Sequence, residues 1–158
     1  MSLPPFQRFL DAHAGDVHRF LVAAVGHHDA DDCFQETFVS ALRAYPRLRA
    51  DSDLRAWVLT IAHRKALDHH RARGRRAVPA SDTMPEPVAP TVTVRVERDL
   101  DVWDRVHDLP GKQRAAVLLR FAGDLTHREV AQALGCSEDA ARRSAHEGLK
   151  KLRQELTA

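Results

Sequence analysis

Residues 109–143 read LPGKQRAAVLLRFAGDLTHREVAQALGCSEDAARR, and the punctuation of this stretch decides what kind of chain it belongs to. Pro110 opens a helix and Gly123 closes it, because proline suits a first helical turn and glycine a helix end. Thr126, His127, Arg128 and Glu129 form a capping box at the next start, in which hydroxyl and carboxylate satisfy orphan amides. That helix runs to Leu134, Gly135 supplies a left-handed turn, and Ser137 caps a last helix reaching about Glu155. Ala131, Gly135 and Ala141 are spaced as two closely crossing helices require: a small residue, a residue at positive φ, and an apolar residue that closes the corner. Two readings are open here, a helix-turn-helix that binds DNA and an ordinary corner in a helical bundle.

In the first reading the last helix is the recognition helix. Its exposed side offers Arg142, Arg143 and His146, with Lys150, Lys151 and Arg153 further on. An arginine near the helix start can reach a guanine edge with two donors, whereas later lysines meet phosphates. From Ser137 to Ala158 there are five basic residues (142, 143, 150, 151, 153) against four acidic ones (138, 139, 147, 155). DNA affinity from this helix alone is therefore weak, since the phosphate term scales with the contacts made.

Upstream, Val78–Thr93 (VPASDTMPEPVAPTVT) holds four of the chain's eight prolines and carries no periodicity. Proline removes backbone donors and disfavours helix in the residue before it, so this stretch is a linker. It divides the chain into a front lobe, 1–76, a connector, 77–95, and a back lobe, 96–158. In both lobes apolar residues recur at three and four without strand-like alternation, which predicts an all-α fold of two small helical domains.

In the front lobe the stripes predict helices near 5–25, 29–45 and 53–73. Phe6, Phe9, Leu10, Val17, Phe20, Leu21 and Ala24 mark the first; Phe34, Phe38, Leu42 and Tyr45 the second, which Pro46 stops; Leu54, Trp57, Val58, Ile61 and Ala62 the third. In the back lobe Leu100, Trp103, Val106 and Leu109 make a further stripe. Trp57 belongs with core packing by its place in the stripe, a stacking platform for unpaired bases being the alternative.

The second helix starts acidic, with Asp29, Asp31, Asp32 and Glu36, and ends basic, with Arg43, Arg47 and Arg49 beyond. Interaction with the helix dipole accounts for this order. So does a protein-docking face of Asp32, Gln35, Glu36 and Arg43, which lie off the apolar stripe. From Leu54 to Arg76, Arg55, Arg64, Lys65, Arg71, Arg73, Arg75 and Arg76 meet a single acid, Asp68, a net charge of +6 in 23 residues. A merely solvated face mixes signs, so this one points to a polyanion.

The whole chain has 158 residues, 44% of them apolar and 29% charged, which suits one ordinary domain or two small ones and excludes a large multidomain enzyme. No apolar run approaches the roughly 20 residues that span a bilayer, and the opening MSLPPFQRF lacks the basic start and apolar block of a cleaved signal, so a cytoplasmic location is expected. Cys33 and Cys136 stand far apart without a second ligand at metal spacing, which predicts two small hydrophobes on helices.

Taken together, DADDCFQETFVSAL (29–42), LRAWVLTIAHRKALDHHRARGRR (54–76) and the 109–143 stretch resemble a bacterial RNA polymerase sigma factor of the extracytoplasmic-function (ECF) group, over nearly the whole chain. The resemblance implies a dissociable promoter-specificity subunit with no catalysis of its own and no cofactor or metal. It implies core RNA polymerase and promoter DNA as partners and, as in many relatives, an anti-sigma factor. It assigns Asp32, Gln35, Glu36 and Arg43 to the polymerase, with Arg64, Lys65, Arg71, Arg75 and Arg76 at the minus-ten element. Thr126, Arg142, Arg143, His146 and Lys150 are assigned to the minus-35 element. The chain departs from the pattern at Arg64, where asparagine is usual, at Ala141 and Ala145, where larger aliphatics are, and at Glu147, where a basic residue is common. Gly148, in the same helix, costs about 1 kcal/mol relative to alanine.

Two other classes compete. A stand-alone helix-turn-helix regulator would bind an operator tightly without polymerase, which the sparse charge of the last helix opposes. A metal-dependent hydrolase would use His27, His28, Asp29, Asp31 and Asp32, but five ligands in six positions cannot converge on one ion from a helix start, and no nucleophile motif accompanies them.

Overall fold

The computed structural model describes residues 2–76 and 102–157, with side chains to residue 73 in the first segment. The predicted connector lies outside the described residues, as does Leu100. Among those described, all regular structure is helical.

The front lobe is a bundle of α1 (Phe6–Val25), α2 (His27–Ala44) and α3 (Leu54–Arg76). Gly26 alone separates the first two, and a single 3₁₀ turn at Tyr45–Arg47 carries Pro46. The helix thus begins two residues earlier than predicted. Phe9, Val17, Phe20 and Leu21 of α1 pack onto Ala30, Cys33, Phe38 and Ala41 of α2 and Val58, Leu59 and Ala62 of α3, all buried. One end is closed by rings: Phe9 lies 5.2 Å from Tyr45 and 5.7 Å from Trp57, centroid to centroid, and Phe6 meets Tyr45 edge-on at 5.3 Å. Trp57 is therefore partly buried and packed against the core, and Cys33 is a buried small hydrophobe.

Two predicted positions move. Leu42, expected in the stripe of α2, is 54% exposed, because the buried line of that helix runs through Ala30, Cys33, Thr37, Phe38 and Ala41. Thr37 joins this line by donating its hydroxyl to the Cys33 carbonyl at 2.7 Å, which satisfies its polar atom internally. Cys136, expected on a helix, sits exposed in the turn between α6 and α7, where its amide bonds the Ala131 carbonyl at 3.1 Å.

The back lobe holds α4 (residues 102–107), α5 (Gly111–Val117), α6 (His127–Leu134) and α7 (Glu138–Thr157). After Val117 the helix continues to Ala122 as a wider π turn, with the Gly123 amide bonding the Leu118 carbonyl at 2.9 Å. The turn before α7 is built as read: Gly135 has φ +68°, a left-handed value that glycine takes without a Cβ clash. The Ser137 hydroxyl accepts the Ala140 amide at 3.1 Å.

Gly148 has a positive role that its helix propensity conceals. A Cβ there would lie 2.7 Å from Cγ2 of Val117, so α7 approaches α5 more closely than any side chain allows. Ala145 and Ala141 are buried on the same line, one and two turns earlier. At Gly148 the small residue thus stands where two helices nearly touch.

The lobes share one buried cluster. At one side of the joint, Arg55 donates to Asp16 at 3.2 Å and to the main-chain carbonyls of Gly123 and Asp124 at the end of the π turn. At the other side, His70 of α3 and His107 of α4 stand 5.4 Å apart, edge to face. Each donates a ring N–H to a carbonyl in the last turn of α1, His70 to Ala24 at 2.8 Å and His107 to Ala23 at 3.2 Å.

Candidate nucleic-acid and polymerase interfaces

The basic helix is not uniformly free. Arg55 is spent on the lobe joint, and Arg73 donates to Asp29 at 3.1 Å, where His69 also closes to 3.1 Å. Asp29, read from the sequence as part of an acidic tip, turns inward and ties the start of α2 to the end of α3. Arg64 and Arg71 are exposed and Lys65 half-buried, and among the described residues none of the three forms an ion pair. They remain available to an external anion. Arg75 and Arg76 lie on the helix, their side chains outside the described residues.

On α2, Asp32, Gln35, Glu36 and Arg43 are exposed and unpaired among the described residues. Successive steps of three and four residues place them along one side of the helix. Val39 and Leu42 follow the same steps and are 47% and 54% exposed. The face is therefore amphipathic, apolar in the middle with charged ends, which is the anatomy of a protein-docking surface. Sequence reading missed both residues, assigning Leu42 to the core because hydropathy alone cannot tell which of two adjacent apolar lines is buried.

The helix-turn-helix positions its candidates unequally. Arg143, His146 and Lys150 are exposed, and the last two share a shallow groove with Arg153 and Thr157. Arg142 pairs with Glu138 at 3.1 Å and approaches Asp139 at 3.8 Å. These surface pairs are each worth about 0.3–0.5 kcal/mol, so DNA could displace them at small cost. The Thr126 hydroxyl accepts the Glu129 amide at 3.2 Å and donates to its carboxylate at 3.1 Å. Its role in the folded chain is that of a cap. Glu147 accepts from Gln113 of α5 at 3.3 Å, which gives the out-of-pattern acid a structural partner.

The proposed metal ligands disperse: Asp29 faces His69 and Arg73, while Asp31 faces His18 at 3.3 Å. No three such groups converge among the described residues.

Comparison with known proteins decides the family. Residues 9–76 match the Sigma-70 region 2 model and residues 100–152 the Sigma-70 region 4 model. ECF RNA polymerase sigma factor SigD of Mycobacterium tuberculosis is 33% identical, over 98% of this chain and 73% of that protein. This chain belongs to the ECF RNA polymerase sigma factors. SigX of Bacillus subtilis, another ECF sigma factor, is 27% identical over 96% of this chain and 83% of its own length. The fold agrees with the sigma factor RpoE solved with the anti-sigma factor NepR from Bartonella quintana, at a TM-score of 0.80, 22% identity and 97% coverage of both chains. It also agrees with CnrH solved with the cytosolic domain of CnrY, at a TM-score of 0.75, 21% identity and coverage of 96% of this chain and 87% of that one.

As an ECF sigma factor the chain serves promoter-specific initiation by RNA polymerase. Its two matched regions coincide with the front bundle and the helix-turn-helix lobe described above. No described helix is long and apolar enough to cross a membrane.

Proposed function

We propose that three surfaces divide the work of initiation among them. The α2 face of Asp32, Gln35, Glu36 and Arg43, with Val39 and Leu42 at its centre, docks on core polymerase. Arg64, Lys65 and Arg71, continued by Arg75 and Arg76, hold the DNA backbone at the minus-ten element. Arg143, His146 and Lys150, with Arg142 once released from Glu138, meet the minus-35 element. Thr126 supports that lobe by capping α6. The connector of 77–95 and the lobe boundaries at 76 and 96 follow this division, and the work is done in the cytoplasm without catalysis by the chain.

The observation that carries the reading is the charge left over inside the front lobe. Its carboxylates engage Arg55 and Arg73 and leave Arg64, Lys65 and Arg71 to the outside. Phosphate contacts by such residues supply affinity that falls steeply with salt. An inhibitor of the anti-sigma kind, such as the NepR with which RpoE was co-crystallised, is the regulatory partner we propose.

The test combines purified chain with core polymerase on promoter fragments. A stable complex and promoter-dependent transcripts are expected. Val39→Glu with Leu42→Glu should weaken core binding at least tenfold with circular dichroism unchanged. Arg64→Ala with Arg71→Ala should spare core binding and lower open-complex formation. Operator-tight DNA binding without core would instead establish the stand-alone regulator.

A further inference from the structure

Between the lobes lies a cavity of about 690 Å³, walled on one side by α3 and on the other by α5, α6 and α7. Three full cations line it: Arg71 from the front lobe, and Lys112 and Arg114 from the back lobe. No carboxylate is among its lining residues. Arg114 donates one N–H to the His107 carbonyl at 3.1 Å, while Arg71 and Lys112 are exposed and form no ion pair among the described residues. Three like charges facing one space repel unless an anion sits between them.

At the cavity wall stands His63, only 4% exposed and without a hydrogen-bond partner among the described residues. Its ring nitrogens are not fully enclosed by the protein, so the cavity is the side from which they can be reached. Burial first, then the charges of Arg64 and Arg114, lower its pKa to about 4, so it presents a neutral ring with one donor and one acceptor. Leu67 and Leu134 add an apolar wall.

We infer that this cavity binds a small organic phosphate of nucleotide size, its phosphates held between Arg71, Lys112 and Arg114 and its ring against the leucine wall near His63. A cavity of this volume suits a ligand of that size, and three cations from two elements match a multiply charged phosphate better than a single carboxylate. The ligand touches both lobes, so its occupancy holds them together. It also occupies Arg71, one of the residues assigned above to promoter DNA. That consequence rests on the proposed function; the binding itself does not.

Calorimetry with the full chain alone, at 150 mM salt, uses GDP as the probe and guanosine and inorganic pyrophosphate as references. GDP should bind with one-to-one stoichiometry and at least tenfold more tightly than either reference. Arg71→Ala with Lys112→Ala, both at exposed positions, should weaken GDP at least tenfold. Ala140→Trp, which fills the cavity, should do the same. Arg8→Ala with Arg128→Ala, at exposed cations elsewhere, should leave binding unchanged. The inference is overturned by absence of saturable GDP binding, by equal losses in the two cation pairs, or by an oligo-glutamate peptide binding more tightly than GDP. The last result would give the cavity to a protein partner. None of these outcomes bears on whether the chain binds core polymerase.

Discussion

Gly148 shows how a residue that looks unfavourable locally is required by its neighbour. Replacing it with valine gains helix propensity of a few tenths of a kcal/mol. The new side chain must enter a space where even a Cβ comes within 2.7 Å of Val117. Val117 is buried and β-branched, so it cannot rotate away cheaply. Overpacking of this kind costs about 1–3 kcal/mol, so Gly148→Val should destabilise the back lobe by about 2 kcal/mol in urea denaturation. Asp16 makes the matching point for charge. Burial alone would raise its pKa, but hydrogen bonds and charges from Arg55 and Arg19 outweigh burial and hold the carboxyl below its ordinary value. Its contribution is therefore present above the ordinary carboxylate range and lost as pH falls through the lowered value. Arg55→Ala should move the Asp16 pKa upward, as carboxylate NMR titration would record.

Among the elements, the caps were the most legible part of the sequence. Thr126, Gly135 and Ser137 act as read, because capping depends on residues within four positions of one another, although the Glu129 carboxylate accepts the Thr126 hydroxyl and not an amide. Thr126→Ala should lower stability by about 1 kcal/mol in the same denaturation experiment, and restoring serine should recover most of it. The faces of α2 were less legible. Its two apolar lines, through Phe38 and Ala41 and through Val39 and Leu42, differ by one residue, and only the packing of α1 and α3 selects which is covered. Similarly, the inward turn of Asp29 depends on His69 and Arg73, forty or more residues away. Local patterning thus disclosed the helices, the helix-turn-helix and the free cations Arg64 and Arg71, but not which acid would neutralise Arg73.

For the whole molecule, the joint between lobes carries a dependence on pH. His70 titrates below its ordinary value of 6.5, first through burial and, against the Ala24 hydrogen bond, through the charges of His107, Arg114 and His69. No carboxylate opposes them among these influences; Asp29 faces His69 and Arg73 instead. The docked joint binds this proton less readily than a solvated imidazole does. Docking is therefore at full strength above the ordinary value and is lost as pH falls through it toward the lowered one. X-ray scattering should show the radius of gyration rising between pH 7.5 and 5.5. His70→Gln, which keeps an N–H for Ala24 but cannot titrate, should reduce that rise. This joint left no mark in the sequence, since its acceptors are backbone oxygens of alanine, glycine and aspartate that any residue could supply.

That choice of acceptors has a genetic corollary. An allele that pries the halves apart can arise by changing a donor, at codons 55 or 107, whereas at codons 23, 123 and 124 the accepting oxygens survive every replacement. A selection for chains that escape closure should accordingly return lesions at these two donor side chains, while changes on the acceptor side act only through packing, at buried Ala23 and at Gly123, where a Cβ would meet the Leu119 carbonyl at 2.7 Å.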